Sequence, residues 1–97
     1  MATFISLASF TDQGIRNVKQ STERARAFRE AAQKAGVTVK DIYWTMGSLD
    51  LVVISDAPDD ETAMALLLGL GSLGNVRTQT LRGFSAEEMG AMVAKMS

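Results

Sequence analysis

The residues best suited to chemistry cluster around one turn. Asp50 follows Met46-Gly47-Ser48-Leu49 and enters an apolar strand, where a carboxylate loses hydration unless it is paired or hydrogen-bonded. Tyr43 and Trp44 precede the same turn, and Gly47 suits a backbone with a positive φ. Such a carboxylate could hold a cationic or amine-bearing ligand. Alternatively, Asp50 is structural and caps the amides of its own turn.

A second polar group lies in segment 11–20, which is long for a link between a strand and a helix. Its candidate ligand-binding residues are Asp12, Gly14 and Arg16. Long ordered loops at strand ends often line sites. The same residues could instead form one helical turn, capped by Thr11 or Asp12, with Ile15 and Val18 turned inward.

Two arginines belong to the last predicted strand. Arg77 is placed to pair with a carboxylate, either that of Asp50 or that of a ligand. Arg82 lies at the strand end, where we expect it to be solvated. The candidate ligand-binding residues are therefore Asp12, Gly14, Arg16, Tyr43, Trp44, Gly47, Asp50 and Arg77.

The composition excludes several classes of site. The 97 residues include no cysteine and no histidine, so thiol chemistry is absent and zinc or copper would lack their commonest ligands. We expect no metal and no cofactor. Any general base would have to be Asp, Glu, Lys or Tyr with a shifted pKa, because histidine, the usual base near neutral pH, is missing.

Charge and hydropathy limit the partners. The 10 basic and 11 acidic residues give a net charge of −1, which argues against sequence-independent binding to nucleic acid. The longest apolar run, 63–71, is far shorter than the roughly 20 residues of a membrane span. The N-terminus shows no signal-peptide pattern. We therefore expect one cytoplasmic domain over residues 1–97, without a membrane partner.

The elements that position these residues follow the order β-α-β-β-α-β, with a further helix at the C-terminus. Strands are predicted at 3–10, 38–46, 49–56 and 75–83, and helices at 21–36, 59–72 and from 86 onward. Asp59 is the predicted N-cap of the second helix, and Ser85 with Glu88 forms a capping box before the last. Two right-handed crossovers in this order predict an α+β fold of ferredoxin-like type.

The first helix is predicted to pack on the sheet through small side chains. Its inward stripe comprises Ala25, Phe28, Ala32 and Ala35. Its water-facing residues comprise Arg24, Arg26, Arg29, Glu30 and Lys34. The pattern follows the period of an amphipathic helix.

Both faces of the sheet are predicted to be covered. In the third strand, one face is predicted to carry Leu49, Leu51 and Val53, and the other to carry Val52 and Ile54. An apolar sheet face left in water would be an interaction patch or an aggregation hazard. We therefore predict that a second copy packs sheet against sheet, so that the protein is at least a homodimer.

The last two helices suggest further assembly. Residues 63–70 are almost entirely apolar, and a helix that is apolar all round is normally buried. The terminal helix has an apolar face made of Met89, Met92, Val93 and Met96. Either this helix or a neighbouring subunit could cover the apolar helix, which leaves open an assembly larger than a dimer.

The segment from Tyr43 to Val52 resembles the hairpin signature of the GYD domain family. The agreement extends to 10–17, 57–61 and 70–82. One position departs from the pattern, because Leu49 stands where the family has its signature Tyr. The resemblance implies a dimeric α/β-barrel in which two ferredoxin-like sheets pack together. Members of that wider group include cofactor-independent oxygenases and isomerases, and also oligomerisation and ligand-sensing modules.

A shorter resemblance concerns the turn. Thr45, Gly47, Asp50 and Leu51 are similar in spacing to the effector-binding hairpin of feast/famine regulators of the Lrp/AsnC type. That resemblance implies a small amino acid held at a subunit interface. Fold and short motif alone do not define function.

Three functions follow as hypotheses. The first is an oligomeric small-molecule-binding or assembly module. The second is a cofactor-independent enzyme that acts on a small organic substrate through Asp12, Tyr43 or Asp50. The third is a self-assembling scaffold, suggested by the apolar second helix.

Overall fold

A computed structural model describes residues 1–96. The elements are β1 (Ala2–Phe10), α1 (Asp12–Arg16), α2 (Ser21–Lys34), β2 (Thr38–Trp44), β3 (Leu51–Ala57), α3 (Asp60–Ser72), β4 (Val76–Gly83) and α4 (Ala86–Val93), with a 3-10 turn at Val18–Gln20. The four strands form one antiparallel sheet in the order β2-β3-β1-β4. This arrangement confirms the predicted α+β fold of ferredoxin-like type.

Side-chain caps begin the two C-terminal helices where the sequence predicted them. Asp59 accepts a hydrogen bond of 2.7 Å from the Thr62 N–H, and hydrogen bonding from Thr62 lowers the pKa of this carboxyl. Ser85 and Glu88 form the reciprocal capping box, and the backbone N–H of Ser85 lowers the pKa of Glu88. Both groups satisfy N–H donors that a helix start would otherwise leave unpaired.

The core lies between the sheet and helices α2 and α3. Its two clusters of buried residues are Phe4, Ala32, Val37, Ala57 and Ala63, and then Ala8, Leu51 and Val76. The predicted stripe of α2 is confirmed only in part, because Ala32 is fully buried, Ala25 and Phe28 are half-buried and Ala35 is exposed. Most core side chains are small, so the two helices do not fill all of the space above the sheet.

The strands alternate between two faces as predicted. In β3, Leu51, Val53, Ser55 and Ala57 are buried beneath the helices, whereas the residues between them are half-buried on the opposite face. β1 alternates in the same way, with Phe4, Ser6 and Ala8 buried. The helices cover one face of the sheet, and the other face is open in the single chain.

Helices α3 and α4 keep apolar surface exposed. Met64 and Leu68 on α3 and Met89 and Val93 on α4 are each about half exposed or more. The cover predicted for α3 is therefore not supplied by α4 of the same chain. Within residues 1–96, no helix is long and apolar enough to cross a membrane.

Candidate functional site

The turn between β2 and β3 is wider than predicted. The flanking strands end at Trp44 and begin again at Leu51, so six residues connect them instead of the two predicted. The Thr45 N–H donates to the Asp50 carbonyl at 2.8 Å, and the Thr45 hydroxyl donates to the Leu49 carbonyl at 2.6 Å. Gly47 has φ of +105°, a conformation that side-chain-bearing residues rarely adopt. The turn is therefore closed by its own hydrogen bonds.

Asp50 is joined to the end of β1. Its Oδ2 accepts a hydrogen bond of 2.8 Å from the Phe10 N–H, and its own N–H donates to the Ala8 carbonyl at 2.9 Å. The carboxylate therefore caps a neighbouring strand, not the amides of its own turn. These two hydrogen bonds join the hairpin to the end of β1, directly before segment 11–20. The hairpin and segment 11–20 are the two regions that the sequence indicated as candidate sites.

Asp50→Ala should lower the free energy of unfolding by about 1–3 kcal/mol, because it leaves the Phe10 N–H without an acceptor in a partly buried position. Asp50→Asn keeps an acceptor oxygen of the same reach and should cost less than about 1 kcal/mol. Urea unfolding of both variants measures the difference. Equal losses in the two variants would show that this hydrogen bond does not stabilise the fold.

The two arginines of β4 differ in environment. Arg77 is exposed and faces Ser9 across the β1–β4 ladder, and no ion pair joins it to Asp50 in the part of the chain that the structure describes. Arg82, expected to be solvated, lies over the Phe84 ring at 4.4 Å from its centroid and 3.8 Å from the Glu88 carboxylate. It connects β4 to α4 through cation–π and ionic contacts.

Segment 11–20 is docked on the loop before β4. The Thr11 N–H donates to the Asn75 carbonyl at 3.1 Å, and the Thr11 hydroxyl caps α1 by accepting from the Gly14 N–H at 3.0 Å. Gly14 is buried, and a Cβ built on it would lie 1.9 Å from the Asn75 oxygen. A glycine is therefore required at this close approach.

The other residues of this segment face outward. Asp12 and Arg16 are exposed on α1. Ile15 and Val18, which the sequence predicted to turn inward, are also exposed, at 52% and 41%. The helical turn, one of the two alternatives for this segment, is present, but the inward packing expected with it is not, because its core contact is the glycine backbone instead of an apolar side chain.

Trp44 and Tyr43 lie on opposite faces of the sheet, as their alternation predicted. The Trp44 Nε1–H donates to the hydroxyl of Ser21, at the start of α2, with a distance of 2.8 Å. Tyr43 pairs with Val52 on the open face and is 58% exposed. The aromatic pair therefore does not converge on one site.

The open sheet face carries a band of apolar side chains from all four strands. Its members are Ile5, Leu7, Tyr43, Val52, Ile54 and Leu81, and we call this set the open-face band. The cross-strand register places Leu7 beside Val52, and Ile5 beside both Ile54 and Leu81. Polar groups border the band, including Asp56, which lies 3.7 Å from the Lys40 ammonium. An apolar centre with a polar rim is the composition of a protein interface.

A cavity of about 460 Å³ lies on the helix-covered face. Apolar side chains of all four strands and of α2 and α3 line it, among them Phe10, Phe28, Ile42, Leu51 and Leu70. None of the eight candidate residues named from the sequence lines this cavity. Their role in ligand binding stays a prediction.

Arg24 lines the cavity but is not among the candidate residues that were named from the sequence. It was predicted to face water, but it is half-buried. The available signal was its spacing, because Arg24 lies one helical turn from both Ser21 and Phe28 and therefore on their side of α2. Residues 1–96 contain no group of three or more acidic residues that could hold a metal ion.

Comparison with known proteins finds a matching family model and a similar protein. The family model described as the GYD domain matches residues 4–93. The chain is 31% identical over 90 residues to a protein of Thermus thermophilus named glutamine synthetase and cystathionine beta-lyase binding protein. That match covers 92% of this chain and 95% of the relative. No solved structure gives a significant match.

Proposed function

The chain belongs to the GYD domain family, and we propose on that premise that it is a homodimeric module that binds a metabolic enzyme. The open-face band is the observation that supports self-association. The relative from Thermus thermophilus, which matches over nearly the whole length of both chains, supports enzyme binding. The proposed partner is the host's own glutamine synthetase or cystathionine β-lyase.

The dimer pairs the open-face bands of two copies. Two-fold pairing brings the same surface from each copy together, so an apolar band meets an apolar band and the polar rims meet at the edges. Tyr43 and Leu81 have the most exposed side chains of the band, and they would gain the most burial. Such burial offsets the small core of a 97-residue domain.

The enzyme contacts a different surface, the outer face of α3. Met64 and Leu68 lie one helical turn apart on this face and are 56% and 60% exposed. They lie on the helix-covered side of the sheet and remain accessible when the open-face bands pair. Flexible Met and Leu side chains on a helix form adaptable contact surfaces.

Leu68→Glu should weaken binding to the partner enzyme at least tenfold, because a charged carboxylate replaces an apolar contact at the interface. The measurement is isothermal titration of the purified protein into each of the two host enzymes. Native mass spectrometry of the same mixtures reports the number of copies bound. The Leu68→Glu protein should keep its own dimeric mass.

Gln33→Glu serves as the matched control, since it adds the same charge at an exposed position of α2. It should bind as the wild type does. Failure of the wild-type protein to bind either enzyme would refute the proposed function. Equal weakening by the two variants would instead show that the contact is not made by α3.

A further inference from the structure

We propose that the cavity between α2, α3 and the sheet binds a small amphipathic carboxylate, and that Arg24 recognises its anionic group. The ligand class is an aliphatic chain or an aromatic ring with one carboxylate. The proposal goes beyond enzyme binding and does not depend on it, because the cavity and the outer face of α3 are separate surfaces.

The cavity fits the apolar part of such a ligand. Its volume of about 460 Å³ lies within the range of roughly 300–1,000 Å³ found for small-molecule sites. Exposed small residues on the two helices border it, namely Ala27 and Ala31 on α2 and Ala65 and Gly69 on α3. It therefore opens between the helices, and the small side chains leave a ligand room to enter.

Arg24 supplies the charge that selects a carboxylate. Its Nη1 donates to the Asn17 carbonyl at 2.9 Å, whereas its Nη2 is buried and has no hydrogen-bond partner among the described residues. None of the ion pairs within residues 1–96 involves Arg24. A buried donor on a cation without a partner is unfavourable, and a carboxylate is its natural acceptor. Because protein atoms cover Nη2 in the structure, the proposed contact requires the guanidinium to turn toward the cavity when the carboxylate binds.

Ser21 provides a second donor near Arg24. It is 8% exposed, lines the same cavity and lies one helical turn before Arg24. Its oxygen accepts the Trp44 Nε1–H at 2.8 Å, which leaves the hydroxyl proton free to donate. A carboxylate beside α2 would therefore meet a guanidinium and a hydroxyl donor, whereas a cationic head group would meet repulsion.

The test compares three probes with the same ten-carbon chain: decanoate, decanol and decyltrimethylammonium, each below its micelle concentration. Isothermal titration into the wild-type protein should show that decanoate binds at least tenfold more tightly than the other two. Arg24→Gln should lower the decanoate affinity tenfold or more and leave the decanol affinity unchanged. Arg26→Gln is the matched control, because it removes an exposed cation from the same helix, and it should bind decanoate as the wild type does.

A second variant tests the same site if Arg24→Gln fails to fold. Ala65→Phe enlarges an exposed side chain at the border of the cavity and should block decanoate while Arg24 is retained. Equal affinity of the wild type for decanoate and decanol would overturn the role of Arg24. No binding of any probe to the wild type would overturn the ligand site altogether. Either result leaves the enzyme-binding titration unaffected, so the two proposals fail separately.

Discussion

Val52→Asp should give a folded monomer, whereas Leu51→Asp should not fold stably. The two positions are adjacent in β3 and both apolar, but they face opposite sides of the sheet. Leu51 is 8% exposed in the core beneath the helices, so an aspartate there would be an unpaired charge in an apolar interior. We expect a loss of about 3–5 kcal/mol, a large part of the stability of a small domain.

Val52 lies in the open-face band between Leu7 and Tyr43. In a single chain an aspartate there stays hydrated, so the fold should survive. In the proposed dimer two such carboxylates would be desolvated against apolar side chains, and the dissociation constant should rise on the order of a hundredfold. Sedimentation velocity gives the mass of each variant, and circular dichroism gives its folded fraction.

The mass of the wild-type protein in solution tests the proposed dimer independently of either variant. A wild-type protein that sediments as a monomer at micromolar concentration would remove the basis for a paired sheet face. A Val52→Asp protein with wild-type mass and stability would place the subunit contact elsewhere, and the exposed faces of α3 and α4 would be the next surfaces to test.

Gly14→Ala should destabilise the fold by on the order of 3 kcal/mol. The added Cβ would lie 1.9 Å from the Asn75 carbonyl oxygen, and its other two nearest atoms also belong to the Asn75 backbone. Backbone cannot move aside as a flexible side chain can, so α1 would have to separate from the loop that precedes β4. The Thr11–Asn75 hydrogen bond would be lost with it.

Gly90→Ala is the matched control for that loss. Gly90 is a helical glycine of α4, and apart from its chain neighbours and the backbone of its own helix nothing lies within 4 Å of an added Cβ. Alanine there should stabilise the protein by up to about 1 kcal/mol through helix propensity. Thermal or urea unfolding should therefore move in opposite directions for the two variants, and a neutral Gly14→Ala would mean that the close approach is not required.

The local elements were predictable because their signals are local. The caps at Asp59 and Ser85 depend on residues within one helical turn, and the alternation along β3 depends on its own side chains. Crossover handedness then leaves few ways to arrange four strands and two helices. The fold followed from these rules, with errors at strand ends, where hydrogen bonds of the turn ended β2 at Trp44.

The sequence by itself determined the order of elements, the two-faced sheet and the surplus of apolar surface. Only the tertiary structure decided what each polar side chain meets. Asp50 bonds to the Phe10 amide forty residues away, Gly14 is required by Asn75, and Arg24 lies at a cavity although its neighbours suggested solvent. The physical reason is directionality. Apolar burial depends on the area removed from water and can be read from the period of a pattern, whereas hydrogen bonds and steric contacts depend on distances between atoms that only the packed chain sets.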